Sequence, residues 1–322
     1  MLKTAFRFII FDKPKSIGAL FGVVISIFLI GQQVGIFIFL TNMMSNLVDH
    51  IDADIWVVDN RSTNVNALGQ IAAKYQREVW SIPGVGHAYP LVIAGGAAKF
   101  TDGSSGGVNL VGAQAPAFVG GPWNTTGGAV TDILFDNAIT TEFYDSKLLG
   151  NAKLGTQFEI NGKRVWVALQ THGARGFGAS YVFTTIDRAR YLSNYPADKI
   201  SAVLIKLTPG ANAQNVVSAI NQNVFGVKAW TKNDFSSATV KTVLGSSGIA
   251  TSVGTLIIFA FISGSIIIGL TLYSAATDRI TDYATLKAIG AGNGYVRNLI
   301  LSQALIFAFA GFFIGVALME LF

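Results

Sequence analysis

Three windows of this sequence contain no Asp, Glu, Lys or Arg: Ser16–Thr41, Ile249–Thr277 and Asn298–Met319. A helix of about 20 apolar residues crosses the hydrocarbon core of a bilayer, and each window is long enough. The soluble alternative, a set of buried core helices, is disfavoured because core helices seldom run so far without a charge. The first window could also be the apolar part of a secretory signal. Its run Ile17–Leu40 is too long for that, and it ends in Thr41-Asn42-Met43-Met44, not at a small-residue cleavage site. It reads as a retained anchor.

The spans account for a chain of 322 residues that is only 13% charged, about half the share in an ordinary soluble domain. The net charge of +5 is mild and the 23 Lys and Arg form no dense run, so a nucleic-acid partner is not expected. Cysteine is absent, which excludes a disulfide framework, thiolate metal sites and a cysteine nucleophile.

Basic residues flanking the first span set the orientation. Lys3, Arg7, Lys13 and Lys15 precede it against one acid, Asp12, whereas Asp49, Asp52, Asp54 and Asp59 follow it before the first base, Arg61. The N-terminus is therefore expected in the cytoplasm. The resulting division is a cytoplasmic segment 1–16, a first span 17–41, an extracytoplasmic domain 42–248, a second span 249–277, a cytoplasmic loop 278–297 and a third span 298–320.

The block 42–248 is large enough to bury its own core. Met44, Val48 and Ile51 lie on one helical face, which predicts that the first span continues outward as a stalk. Val240, Val243 and Leu244 predict a second stalk into the next span. Between them, Asp54–Asp59 is a short β-rich run, Ala67–Ile82 has helical spacing, and 107–114 and 129–139 contain strand-like runs. Gln157–Leu169 reads as a hairpin around Asn161-Gly162, the dipeptide of a type I′ turn. A strand at 181–184 runs into a helix at 187–192, a strand follows at 201–207, and a helix at 213–224 presents Val216, Val217 and Ile220. The glycine-rich stretches 95–96, 102–107 and 120–128 read as loops. The fold class is thus a membrane protein with α-helical spans and an inserted α+β extracytoplasmic domain.

No catalytic constellation is visible, and no enzyme activity or cofactor is expected. Gly150–Gly155 has the glycine spacing of a phosphate-binding loop but is followed by Thr156-Gln157, without the lysine that holds phosphate. His50, His87 and His172 form no zinc-ligand pair and read as ordinary polar residues. The segment Gly173–Gly178 reads as a mobile loop. Asn60-Arg-Ser62 and Asn124-Thr-Thr126 match glycosylation sequons. None of the three windows holds an acidic or basic residue, which disfavours an ion-coupled transporter. Gln32, Gln33 and Gln303 suggest interhelical hydrogen bonds. Gly18 and Gly22, Gly31 and Gly35, and Gly311 and Gly315 have the spacing that lets helices approach closely, within the chain or in a dimer.

The loop between the second and third spans is the most informative segment. Ile280, Tyr283, Leu286 and Lys287 have helical spacing with a stop at Gly290, which predicts a short amphipathic helix at the membrane surface. The run Asp282-Tyr-Ala-Thr-Leu-Lys-Ala-Ile-Gly-Ala291, followed by Val296, Leu299 and Ile300, resembles the E-I-G-x-L-K/R-A-L/I-G-A signature of FtsX-like, MacB-type (type VII) ABC transporter permeases. Ala284 stands where that family has glycine. Asp54-Ile-Trp-Val-Val and the hairpin at Leu154–Gly162 look like the DevC branch of exporter permeases.

The resemblance implies a permease subunit that dimerises and binds a separate ATP-binding ATPase. The loop would be its coupling helix, with Arg279, Asp282, Tyr283, Leu286, Lys287, Ala288, Ile289, Gly290 and Ala291 at the contact. ATP-driven motion would pass through the stalks to the outer domain, with a periplasmic adaptor and an outer-membrane channel as partners in a bacterial inner membrane. The cargo would be a lipid, glycolipid, peptide or drug-like molecule. The family has four spans, so a fourth is expected to be missing after Phe322. The alternatives are a regulator of an extracytoplasmic cell-wall hydrolase in the same family, and a membrane-anchored ligand sensor.

Overall fold

The computed structural model describes residues 2–11 and 13–321; Met1, Asp12 and Phe322, and the side chains of Leu2, Lys3, Phe8, Lys15, Thr271, Leu272, Ala275 and Leu321, lie outside the described residues. The chain forms two compact units, Met1–Phe39 with Ser247–Phe322, and Leu40–Ser246. In chain order the elements are α1 (Leu2–Phe11), α2 (Lys13–His50), β1 (Ile55–Asp59), β2 (Ile71–Ala72), α3 (Tyr75–Trp80), β3 (Val85–Lys99), β4 (Ser105–Ala113), β5 (Thr125–Thr126), β6 (Ala138–Glu142), β7 (Gln157–Ile160), β8 (Lys163–Thr171), β9 (Ser180–Thr185), α4 (Ile186–Ser193), β10 (Lys199–Ile200), β11 (Ala202–Leu207), α5 (Ala213–Asn223), β12 (Val227–Thr231), α6 (Lys232–Ser246), α7 (Ile249–Thr277), α8 (Ile280–Ala288) and α9 (Asn293–Leu321).

Three helical stretches are long and apolar enough to cross a membrane: Ser16–His50, Ile249–Leu270 and Asn293–Glu320. The first helix runs on past residue 41 to His50, the outward stalk expected from Met44, Val48 and Ile51. The third starts at Asn293, not 298, because Val296 and Ile300 are drawn into the packing around Tyr283 and Leu299. The segment 1–16 contains a helix of its own, α1.

In the unit Leu40–Ser246, β1 shows how alternation builds a two-sided core. Ile55 and Val57 enter one cluster with Val203, Ile205, Val216, Val217 and Ile220. Trp56 and Val58 enter the opposite one with Leu47, Val48, Ile51, Leu204 and Phe235. All four β1 side chains are fully buried, since α5 contributes to the first face and the end of α2 and α6 to the second. Burying each such side chain stabilises the fold by about 1.5–3 kcal/mol. The sheet runs β12-β1-β11-β3-β7-β8-β5, with β4 between β3 and β9, and β6 beside β8. Pairing is antiparallel apart from β4 with β9 and β6 with β8.

Strand β3 joins the two halves of this sheet. It pairs with β11 over Val85–Leu91 and with β4 over Leu91–Lys99. Gly95 and Gly96, expected in a loop, are mid-strand. A Cβ on Gly96 would lie 2.9 Å from Ile160 Cγ2, so glycine permits the close packing of this sheet. The helix expected over 67–82 is confined to Tyr75–Trp80, preceded by a 3-10 turn and the short β2. In α6 the buried face is Phe235, Thr239 and Val243, not Val240, Val243 and Leu244, because Phe235 packs beside Trp56 and Trp230.

The segment 173–178 is held from two sides. Glu142, fully buried at the end of β6, accepts hydrogen bonds from the Thr171 hydroxyl at 2.7 Å and from the Gly173 and Ala174 N–H groups at 2.8 and 2.9 Å. Asp145 accepts from Arg175 Nε at 2.8 Å and from the Ser180 hydroxyl at 2.7 Å. Such charge-assisted bonds are the stronger kind, and a mobile loop is the wrong reading.

Candidate functional site: the loop between the last two helices

α8 has nine residues, too few for a stable helix alone, so its ends and one face must be held. At the C-terminus the Gly290 N–H donates to Lys287 O and the Ala291 N–H to Leu286 O, both at 3.0 Å. With Gly290 at φ +102°, this is a Schellman motif. The Ile-Gly-Ala of the sequence signature is therefore a helix stop that satisfies two carbonyls, at a backbone angle that favours glycine.

The inner face of α8 is anchored. Tyr283 is 6% exposed and packs with Ala5 of α1 and Leu299 of α9, flanked by Leu286, Val296 and Ile300. Its hydroxyl meets Gln303 Oε1 at 3.5 Å. Burial pushes the Tyr283 phenol above its usual pKa, against the pull of Arg279. Arg279, also 6% exposed, donates from Nη2 to Ser16 Oγ at 3.4 Å. The Ser16 hydroxyl in turn donates to Ile9 O at 2.7 Å.

The nine loop residues named from the sequence therefore separate into two groups. Arg279, Tyr283 and Leu286 face inward and hold the helix. Asp282, Lys287, Ala288, Ile289 and Gly290 are exposed, Ile289 at 77%, and Ala291 is intermediate. The open side of the site is an apolar side chain beside an acidic and a basic one. Ala5 and Ser16, which complete the anchor, are not signalled by the loop's own sequence. Gln303, expected to make an interhelical hydrogen bond, meets Tyr283 of α8.

The spanning glycines also separate. A Cβ on Gly311 would lie 2.6 Å from Val23 Cγ1, and one on Gly315 2.9 Å from Ile27 Cγ2. These two glycines set the approach of α9 to α2. Gly31 faces Met319, whereas a Cβ on Gly18 or Gly35 would meet nothing within 4 Å. The Gly22 carbonyl accepts from the Ser26 hydroxyl at 2.9 Å. Gly264, absent from the sequence pattern, packs near Ile30 and Ser26.

The three histidines pack against aromatic rings. His50 stacks on Trp123 at 5.0 Å, His87 lies between Trp80 and Tyr89, and His172 stacks on Phe143 at 4.7 Å. Among the described residues no group of three or more His, Asp or Glu is placed to hold a metal.

Apolar helices around an anchored surface loop, with a large α+β domain inserted after the first of them, define a membrane protein with one inserted domain. Residues 254–322, which contain α8 and α9, match the FtsX-like permease C-terminal family. None of the curated proteins matches the chain. Among solved structures, the extracellular domain of the noncanonic ABC-type transporter YknZ from Gram-positive bacteria is similar at 10% identity and TM-score 0.39, covering 56% of this chain and 99% of that one. The periplasmic region of MacB from Actinobacillus actinomycetemcomitans is similar at 8% identity and TM-score 0.43, covering 62% and 98%.

Proposed function

We propose that this protein is the membrane subunit of an ABC-type exporter, passing the motion of a separate ATPase to its inserted domain. The observation that carries the reading is the split of α8. A helix anchored through Arg279, Tyr283 and Leu286 turns Asp282, Lys287 and Ile289 outward, within a segment that matches the FtsX-like family. A rigidly held helix with an open apolar and charged side is suited to seat in a groove of a partner and transmit force. In this reading the loop and N-terminus are cytoplasmic in a bacterial inner membrane, the unit Leu40–Ser246 is periplasmic, and the subunit is a homodimer. A periplasmic adaptor and an outer-membrane channel carry the cargo onward, and the cargo is a lipid, glycolipid, peptide or drug-like molecule. The chain has no catalytic role of its own and supplies no cofactor site.

The test is co-purification of the ATP-binding subunit with the tagged full chain. Ile289→Glu and Lys287→Glu are expected to abolish capture while leaving the thermal stability of the chain unchanged. Undiminished capture by both variants would refute the assignment of α8. Leu286 is a poor probe, because it packs in the anchor and its loss disturbs the helix itself.

A further inference from the structure

Two cavities in the unit Leu40–Ser246 share Gln76, Gln114 and Ala115 as lining. One, of about 560 Å³, continues to Asp187 and Arg190. The other, of about 190 Å³, continues to Trp80, His87 and Tyr89. They join into one groove, and its larger part falls in the range of small-molecule sites, about 300–1,000 Å³. At the aromatic end the rings follow one another, Trp80 to His87 at 5.8 Å and His87 to Tyr89 at 5.9 Å. Trp80 is 47% exposed, and its one donor, Nε1, is already given to Gly86 O at 3.1 Å. What Trp80 offers outward is ring surface. Further along, Gln76 donates from Nε2 to Ala88 O at 2.9 Å, which fixes its amide, and Gln114 is exposed. At the far end Arg190 lies 3.6 Å from Asp187 and donates from Nη2 to Lys199 O at 3.0 Å.

We propose that this groove binds the pyranose ring of a neutral saccharide. A pyranose carries C–H bonds on its ring face and hydroxyls around its rim. The C–H face suits an exposed indole, whose π-face is negative. The hydroxyls suit glutamine amides, which both donate and accept, and the Asp187 carboxylate, whose side chain is 89% exposed. The charge balance disfavours ionic ligands: Asp187 and Arg190 offset each other, so neither an anion nor a cation gains a net partner. An extended peptide pairing with β3 is disfavoured too. Residues 86, 88 and 90 share the edge of β3 that faces away from β11. On that edge Gly86 O and Ala88 O already accept from Trp80 and Gln76, and Pro90 has no N–H to give. The same ring chemistry comes from a free oligosaccharide or from a lipid-linked headgroup. The proposal rests only on the fold of this unit and is independent of the ATPase assignment.

The full chain is held in nanodiscs free of sugar detergent and titrated with maltotetraose, cellotetraose and chitotetraose under saturation-transfer-difference NMR. Monogalactosyl diacylglycerol, added to the nanodisc lipid and read by native mass spectrometry of the released protein, supplies the lipid-linked form. At least one of these four probes is expected to bind. Binding by the galactolipid alone assigns the lipid-linked source, and binding by a free sugar assigns the ring itself. Gln114→Ala and Trp80→Ala are each expected to weaken the association by about tenfold, the scale of one lost hydrogen bond or ring contact. Trp80→Phe keeps a ring and should weaken it by less than about threefold. Gln114 is exposed, so Gln114→Ala should unfold at the wild-type temperature and its loss of binding reports the groove. Absence of binding by all four probes at millimolar concentration would overturn the proposal. So would binding that Trp80→Ala and Gln114→Ala both leave unchanged. Binding of tetra-alanine in place of the sugars, with the same dependence on Trp80, would assign the groove to peptide and refute the saccharide reading.

Discussion

The Asn46 side chain near the end of α2 donates from Nδ2 to Gly173 O at 2.9 Å and also to Arg175 O at 2.8 Å. Within the unit Leu40–Ser246, one amide thus ties the end of a long helix to the 173–178 segment, which Glu142 and Asp145 hold from the other side. Asn46→Ala leaves two carbonyls without this donor and is expected to cost about 1–3 kcal/mol. Asn46→Asp should be worse, because it turns a carboxylate toward two carbonyl oxygens. Hydrogen exchange checks this: amides of 173–180 should exchange faster, while those of β1 and β11 stay protected.

Glu142 is the stronger half of that clamp. Its replacement by Ala strands three N–H donors, those of Tyr144, Gly173 and Ala174, and the Thr171 hydroxyl, and should destabilise the fold by about 3 kcal/mol or more. Gln preserves the shape but places an NH2 among donors, so an intermediate loss of roughly 1–3 kcal/mol is expected. Thermal unfolding of the full chain in detergent gives the order wild type, Glu142→Gln, Glu142→Ala if the carboxylate is the acceptor that matters.

The features legible in the sequence were those encoded locally. Burial of β1 on both faces follows from its unbroken apolar run. The β7–β8 hairpin follows from Asn161-Gly162, whose φ angles of +49° and +75° are the positive pair of a type I′ turn. The end of α8 follows from Gly290. What was not legible depends on distant partners. Gly95 and Gly96 resemble a loop until Ile160 is seen packing over Gly96. The 173–178 segment resembles a flexible stretch until Asn46, 127 and 129 residues away from its two acceptors, is brought beside it. Leu286 and Ile289 have similar hydrophobicity, and only the arrival of Ala5 and Leu299 decides that Tyr283 and Leu286 face inward.

Gly290→Ala tests the helix stop. The φ of +102° is unfavourable for an L side chain by about 1–2 kcal/mol, so the Schellman bonds should weaken and the last turn of α8 fray. Faster amide exchange at Gly290 and Ala291 is expected, together with weaker capture of the ATPase in the co-purification assay. Ala291→Ser should affect neither.

Tyr181 makes the stability of the inserted domain pH-dependent at the alkaline end. It is 1% exposed, its hydroxyl has no hydrogen-bond partner among the described residues, and burial pushes its pKa far above the ordinary value. With the folded pKa raised, this contribution is fully present below the unfolded value of about 10. It is lost as pH rises from there toward the folded pKa, because only the unfolded chain ionises freely. Tyr181→Phe should be close to neutral at pH 7, since no hydrogen bond is lost, and should remove the latest-titrating step from the phenolate absorbance curve. Loss of a step near the ordinary tyrosine value of about 10, with the latest step intact, would show that Tyr181 titrates normally.

The spanning glycines separate folding from association. Gly311→Leu and Gly315→Leu place a side chain where a Cβ alone would lie 2.6 Å from Val23 and 2.9 Å from Ile27. Overpacking of this kind costs about 1–3 kcal/mol and should push α9 away from α2. Gly18→Ala and Gly35→Ala meet nothing within 4 Å in the chain itself and should leave its stability within about 0.5 kcal/mol of wild type. Paired cysteines on α2 and α9 should cross-link less readily in the Gly311 and Gly315 variants and normally in the other two. If the homodimer closes on the open glycines, Gly18→Leu or Gly35→Leu will shift the dimer toward monomer in size-exclusion light scattering while the intrachain cross-link stays intact.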